Sequence, residues 1–372
     1  MKRYYFTYSS KQNSPEEQIN DCIKAYKDFT KDLGNAFALR CTFFVNAGDN
    51  QKYNEIKDII HSASNNIFFY PAVIGQPPIG SDMALECVII DRNKVDINIH
   101  LRSVEGHPYI VLDHKGNKKL YVSGIKGNIS TSIKEQSTEA FSLAEKILKK
   151  EGLEFSDILR QWNYIESITQ TVRISDVLYQ HYQIFNDIRT MFYNKVQFNN
   201  GYPAATGIGM DTGGVILEII AGKGNDIEIV AIDNPEQVSA HHYSEKVLIG
   251  KEIEEFKCKS TPKFERAKYV NSIFGRTLFI SGTAAIRGEN TISSNDIIEQ
   301  TEITLGNIRE LEYNGSQKYP YSMFRLYVKD PDDGPESLKY SKAYFGDIPS
   351  LVLKGPVCRD NLVVEIEAEK AF

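Results

Sequence analysis

The sequence predicts an α+β fold made of two similar halves, each a mixed β-sheet with helices packed on one face. Three observations predict it. A block repeats: Leu120-Tyr-Val-Ser-Gly-Ile-Lys-Gly, a helix opening at Gln136, Ile158-Leu-Arg-Gln-Trp-Asn-Tyr and Tyr202-Pro-Ala-Ala-Thr return as Leu278-Phe-Ile-Ser-Gly-Thr-Ala-Ala, a helix near Gln300, Phe324-Arg-Leu-Tyr-Val-Lys-Asp and Gly355-Pro-Val-Cys-Arg. Each copy runs strands, helix, strand, helix, strand, the order of an α+β layer. The length of 372 residues holds about two domains at the usual ~100–200 residues each. The halves are placed at residues 1–235, with extra N-terminal elements, and 236–372.

Before the first copy, Gln18–Leu33 reads as a helix, Ala38–Val45 and Ile67–Val73 as strands, and Gly75–Gly80 as a loop. Ala84–Ile90, Val95–Leu101, Pro108–Leu112 and Leu120–Ile125 are β-branched or alternating runs separated by turn residues. From Ser137 to Lys150, Ala140, Phe141, Ala144, Ile147 and Leu148 form one apolar stripe, and Gly152 supplies a stop. A strand with Arg160, a helix over Ser175–Tyr193, a proline loop and the strand from Val215 complete the copy. In the second copy Asp296 is the expected N-cap of a helix carrying Ile297, Ile298, Ile303, Leu305 and Ile308. A strand with Arg325, a helix around Ser337–Phe345 and a last strand from Val363 follow, and the acidic run Asp330–Glu336 is a solvated turn.

Composition narrows the function. Lys and Arg (43) are outnumbered by Asp and Glu (49), and no dense basic block occurs, so a nucleic-acid partner is not expected. No run approaches the roughly 20 apolar residues that span a bilayer, so no membrane partner is expected and the reading is a cytoplasmic protein. Five cysteines, widely spaced and without a Cys-x-x-Cys pair, read as reduced thiols. His241 and His242, if on a strand, point to opposite faces, so no metal site is expected.

The second copy, from Thr261-Pro-Lys-Phe-Glu-Arg-Ala through Ile280-Ser-Gly-Thr-Ala, Arg325-Leu-Tyr-Val-Lys-Asp and Val364-Glu-Ile-Glu-Ala, resembles the YjgF/Rid family of small trimeric deaminases. The duplicated length, with Gln161-Trp-Asn-Tyr-Ile and Tyr202-Pro-Ala-Ala-Thr-Gly-Ile-Gly, resembles the chorismatase family, which is built from Rid-like halves. The resemblance covers roughly residues 80–372. It implies cleavage of the enolpyruvyl ether of chorismate to pyruvate and a ring product, without cofactor or metal. Members release either a dihydroxy-cyclohexadiene carboxylate or hydroxybenzoates. The family's acid is the first Glu of the closing Glu-Ile-Glu strand, which falls on Glu365. Aromatic-forming members have a Cys seven residues earlier, matched by Cys358. Together these imply a 3-hydroxybenzoate-forming lyase of secondary metabolism.

The chemistry agrees with the residues. Protonating the methylene carbon of an enol ether needs a carboxylic acid kept neutral by a partly apolar site, and Glu365 stands among Val363, Val364 and Ile366. Taken alone it reads first as a solvated edge-strand glutamate, and the resemblance reverses that order. Cys358 beside Arg359 is a candidate for thiolate stabilisation, or else a packed cysteine. Chorismate carries two carboxylates, so Arg325 and Arg266 are candidate ligands, with Thr283 and Tyr202 as hydrogen-bonding neighbours. Matching the copies places Ala205 opposite Cys358 and Glu218 opposite Glu365, which predicts a single working pocket between the copies. A monomer is expected, since the duplication supplies internally part of what a trimer gains by assembly. A hydrolytic chorismatase, a non-catalytic metabolite-binding protein and a Rid-type imine deaminase stay open as alternatives.

Overall fold

The computed structural model describes residues 1–372 except 175, 248, 253–258, 293 and 314; Cys258 and Ser175, where a helix was expected to open, lie outside the described residues. The first ninety residues form β1 (Tyr4–Ser9), α1 (Pro15–Thr30), β2 (Ala36–Val45), α2 (Asn50–Ser64), β3 (Ala72–Ile74) and β4 (Met83–Asp91), a sheet of order β1-β4-β2-β3. Then come β5 (Asn98–Val104), β6 (His107–His114), β7 (Asn117–Lys126), α3 (Ile133–Lys150), β8 (Ile158–Glu166), the hairpin β9 (Thr171–Ile174) and β10 (Val177–Gln180), α4 (His181–Tyr193), β11 (Ala204–Met210) and β12 (Val215–Lys223). Their sheet runs β5-β6-β7-β12-β8-β11. The last part holds β13 (Glu228–Ile232), β14 (Ala267–Ser272), β15 (Gly275–Ala284), the hairpin β16 (Ile286–Arg287) and β17 (Asn290–Thr291), α5 (Ile297–Arg309), β18 (Met323–Val328), α6 (Gly334–Phe345), β19 (Ser350–Lys354) and β20 (Val364–Ala371). That sheet runs β13-β14-β15-β20-β18-β19.

The two predicted copies are therefore six-stranded sheets of matching order. The N-terminal segment repeats their last four strands: first, fourth, second and third in space, with only the final pair parallel. Three units of one topology follow one another along the chain. Edge strand β3 of unit 1 meets β7 of unit 2, β11 of unit 2 meets β15 of unit 3, and β19 of unit 3 meets β1 of unit 1, which closes a ring.

Local chemistry explains the helices. Ser14 and Ser132 cap α1 and α3 with reciprocal bonds to Glu17 and Glu135, while Asp49 and Asp296 cap α2 and α5. The predicted stripe of α3 is buried, and Tyr53, Ile56 and Ile60 give α2 an equivalent face. One apolar cluster joins residues from the sheets of all three units with the buried faces of α1 and α2; two others lie between sheet and helices in units 2 and 3. His241 and His242 sit on a short 3-10 turn with ring centroids 4.2 Å apart, not on a strand, because Ala240–His242 closes a helical turn.

Charges fill the centre of the ring. Thr42, Trp162 and Arg325 occupy one place in the three units, each paired across its sheet with a glutamate: Glu86, Glu218 and Glu367. Each also reaches the glutamate of the next unit. Thr42 Oγ1 donates to Glu218 (3.1 Å), Trp162 Nε1 to Glu367 (2.8 Å), and Arg325 Nε and Nη2 to Glu86 (both 2.6 Å). At the Glu218 corner the partners are the hydroxyls of Thr42 and Tyr164, with no ion pair among the described residues. Burial accordingly raises the Glu218 carboxyl above its ordinary value, against the opposing pull of Arg325 and Arg40.

A carboxyl whose folded pKa is raised destabilises the fold once pH passes its ordinary value, because the unfolded chain releases the proton and the folded chain does not. Glu218→Gln is expected to melt higher than wild type at neutral pH, with the difference closing as pH falls below about 4.5. Thermal melts across that range check it; a glutamine variant that melts lower at pH 7 refutes the upward shift of the Glu218 carboxyl.

Candidate active site

A cavity of about 360 Å³ opens at the seam of units 2 and 3. Period-2 alternation turns Ala205 and Gly207 of β11 into it, and Gly282 and Ala284 of β15 form the facing wall. Glu365 of β20, Gln180 and Tyr182 at the start of α4, Arg266, Tyr243 and the loop from Cys358 to Leu362 complete the lining. That loop is pinned from both units. The Gly209 N–H donates to the Pro356 carbonyl (2.9 Å), Gln180 Nε2 to that of Cys358 (3.0 Å) and Gln300 Nε2 to that of Asn361 (2.9 Å).

Strand β20 puts Glu365, Glu367 and Glu369 on one face, and their surroundings separate their chemistry. Glu369 pairs with Arg3 and accepts from Tyr5. Glu367 pairs with Arg160 (2.8 Å) and Arg325 (3.1 Å). Burial works against its charge, but these arginines and the Thr206 and Trp162 donors hold it below the usual carboxylate range. Glu365 is buried, with no hydrogen-bond partner among the described residues. Burial first, then the neighbouring Glu367 charge, pushes its carboxyl up to about 8, with Arg160 and Arg266 opposing. Its oxygen rests on Gly282, where a Cβ would stand 2.0 Å from Oε1, so only glycine leaves room for the acid.

Cys358 lines the same cavity, but its expected ionisation is reversed. Burial, followed by Glu365, pushes the thiol up to about 11, and Arg359 with Arg266 only partly opposes this. Arg359 is turned instead to the Glu289 carbonyl (2.8 Å) and the face of Tyr243 (5.2 Å). Cys358 is thus a neutral thiol. Arg266 also reaches the cavity, tethered by Nη2 to the Val238 carbonyl (2.8 Å) and the Tyr243 hydroxyl (2.6 Å).

The structure brings Glu365, Cys358 and Arg266 together, and places the other three candidates elsewhere. Arg325 is fully buried in the central ring, its guanidinium consumed by Glu86, Tyr164 and Glu367. Thr283 is buried with its hydroxyl on the Ser281 carbonyl (2.9 Å). Tyr202 packs among Tyr193, Phe198 and His241. The matching of copies also changes. Relative to a shared break in register at Ser123-Gly124 and Ser281-Gly282, Glu218 corresponds to Glu367, not Glu365. Ala205 faces Cys358 across one cavity because β11 corresponds to β19, and Cys358 follows β19 in a loop. Tyr182, Gln180 and Tyr243 carry no sequence signal that marks them, since hairpin and loop geometry brings them in.

At the seam of units 1 and 2, Phe68, Phe69, Tyr70, Tyr109 and Tyr121 line a recess of about 10 Å³. Among the described residues, no helix is long and apolar enough to cross a membrane, and no group of three or more His, Cys, Asp or Glu is disposed to hold a metal.

Comparison with known proteins agrees with this architecture. Residues 105–221 match the family described as Chorismatase FkbO/Hyg5-like, N-terminal. A 3-hydroxybenzoate synthase of Streptomyces hygroscopicus is 28% identical over 254 residues, 63% of this chain and 68% of that protein. A chorismatase of the same organism is 27% identical over 222 residues, 56% of this chain and 60% of the relative. A chorismatase crystal structure superimposes with a TM-score of 0.70 at 18% identity, covering 100% of this chain and 98% of that one. The chain therefore has the fold of that chorismatase, and residues 105–221 are similar to the FkbO/Hyg5-like chorismatase N-terminal family.

Proposed function

We propose that this chain cleaves the enolpyruvyl ether of chorismate, releasing pyruvate and 3-hydroxybenzoate. The observation that carries the reading is Glu365: a buried carboxyl without an ion-pair partner among the described residues, protonated near neutral pH and facing a cavity. An enol ether is a poor electrophile until its methylene carbon takes a proton. The Glu365 proton goes to that carbon, the carbon bearing the ether oxygen becomes an oxocarbenium centre, and the developing carboxylate is left beside the cation it created.

Arg266, with Arg359 and Lys246 on the same wall, supplies cationic partners for a dianion. Pyruvate and 3-hydroxybenzoate together hold the atoms of one chorismate, so no net water is consumed. The oxygen leaving the ring balances the one pyruvate gains, and the ring hydrogen lost on aromatisation returns as a proton to Glu365. A neutral Cys358 thiol can exchange hydrogen bonds with the departing ring hydroxyl. The diol product would take up one water instead. The name of the first relative, 3-hydroxybenzoate synthase, supports the aromatic outcome.

The test is incubation of purified protein with chorismate, following pyruvate and ring products by chromatography. Pyruvate with 3-hydroxybenzoate is expected; absence of pyruvate rejects the activity, and a diol alone rejects the product. Cys358→Ala is expected to change the ratio of aromatic product to diol more than the rate of chorismate loss. An unchanged ratio takes Cys358 out of the reaction.

A further inference from the structure

We propose that Thr206, whose hydroxyl points away from the cavity, is a positioning residue for Glu365, locking the seam of units 2 and 3 beneath the acid; this rests on the reading of Glu365 as the proton donor. A hydroxyl has one proton and two acceptor positions, and Thr206 uses all three. Arg160 Nη2 donates to its Oγ1 at 2.6 Å and the Gly282 N–H at 3.0 Å, while the hydroxyl donates to Glu367 Oε2. Two of these partners, Gly282 and Glu367, belong to unit 3, and the third, Arg160, belongs with Thr206 to unit 2. One oxygen therefore ties both units.

The connection to the acid is short. The Glu365 carboxyl rests on Gly282, and the Thr206 methyl underlies the same glycine, 3.0 Å from where a Cβ would stand. Neighbouring Ala205 and Gly207 form the cavity wall. The same hydroxyl also fixes Glu367, the next carboxylate along β20 on the face that bears Glu365. Thr206 thus sets both the surface on which the acid lies and the position of the charge beside it.

Valine keeps the shape of threonine and removes its hydrogen bonds. In Thr206→Val the Gly282 N–H loses its acceptor, Arg160 Nη2 keeps only Glu367, and Glu367 loses a donor. Turnover of chorismate is expected to fall roughly 10–100-fold, in kcat rather than KM, as misplaced catalytic groups do. The alkaline midpoint of kcat/KM is expected to move, and Thr206→Ser to restore both. Trp162, the single tryptophan of the chain, donates to the other oxygen of Glu367 at 2.8 Å. Its emission is expected to shift in Thr206→Val and not in Thr206→Ser.

Should the valine variant not fold, Thr206→Ala is read in the same way. A hydroxyl-free variant with wild-type kcat and an unmoved pH midpoint overturns the proposal, even if it melts lower, since a purely structural role predicts that result. Glu365→Gln is assayed alongside. If it stays active, the acid assignment fails and the positioning role with it; if it is inactive while the threonine variants are normal, positioning alone fails.

Discussion

Glu365→Gln is expected to lower chorismate turnover by roughly 10²–10⁴-fold, the usual contribution of a general acid, while the protein still folds. Glutamine keeps the shape and has no proton to give. In the wild type, kcat/KM should stay high while Glu365 holds its proton and fall as pH rises through about 8. A stability effect of opposite sign should accompany the lost activity. The folded carboxyl titrates near 8 against an ordinary 4.5, so from pH 4.5 upward the unfolded chain releases a proton that the folded chain keeps. Folding is penalised progressively to about pH 8 and evenly above it. The glutamine variant should therefore melt higher than wild type at pH 8 and equally at pH 4. Activity retained at the wild-type level, or an alkaline limb unrelated to pH 8, would remove Glu365 as the acid.

Arg325→Met is expected to cost about 3–5 kcal/mol of stability, the range for breaking one side of a buried ion pair. Four acceptor atoms on three residues lose a partner at once: both oxygens of Glu86, the Tyr164 hydroxyl and one oxygen of Glu367. Arg40 still reaches Glu86 and Arg160 still reaches Glu367, so each charge keeps one cation and the loss stops short of unfolding. Denaturant titration measures it. A substrate-binding arginine gives the contrary result, a raised KM at unchanged stability, and would return Arg325 to the cavity wall.

What could be read in the sequence was what a short window contains. The stripe of α3, the Asp296 cap of α5 and the order of elements in two copies all stand in the structure. Helix α2 was not read, although Tyr53, Ile56 and Ile60 behind Asp49 carry helical spacing, because the segment around them is polar. The N-terminal unit was not read either, because it shares strand order with the others and almost no side chains: the common place is filled by threonine, tryptophan and arginine. The site divides in the same way. Glu365 and Cys358 stand seven positions apart and move together with one strand and its loop. Arg325 looks like any strand arginine until Glu86, 239 residues away, is seen to hold it. Thr206 shows nothing in sequence, since its importance comes from partners on two sheets.

Three identical chains around an axis must accept every substitution three times over. A single chain carrying three units does not. At its centre Thr42, Trp162 and Arg325 stand in one geometric place and meet three glutamates on different terms, so one corner holds its carboxyl by the hydroxyls of Thr42 and Tyr164 while the others hold ion pairs. The same independence lets one seam keep a cavity of about 360 Å³ around a carboxyl that burdens folding, while at another Phe68, Tyr70, Tyr109 and Tyr121 pack around a recess of about 10 Å³. Covalent fusion thus confines the instability of a proton-donating site to one third of the ring and leaves the remainder free to be packed for strength.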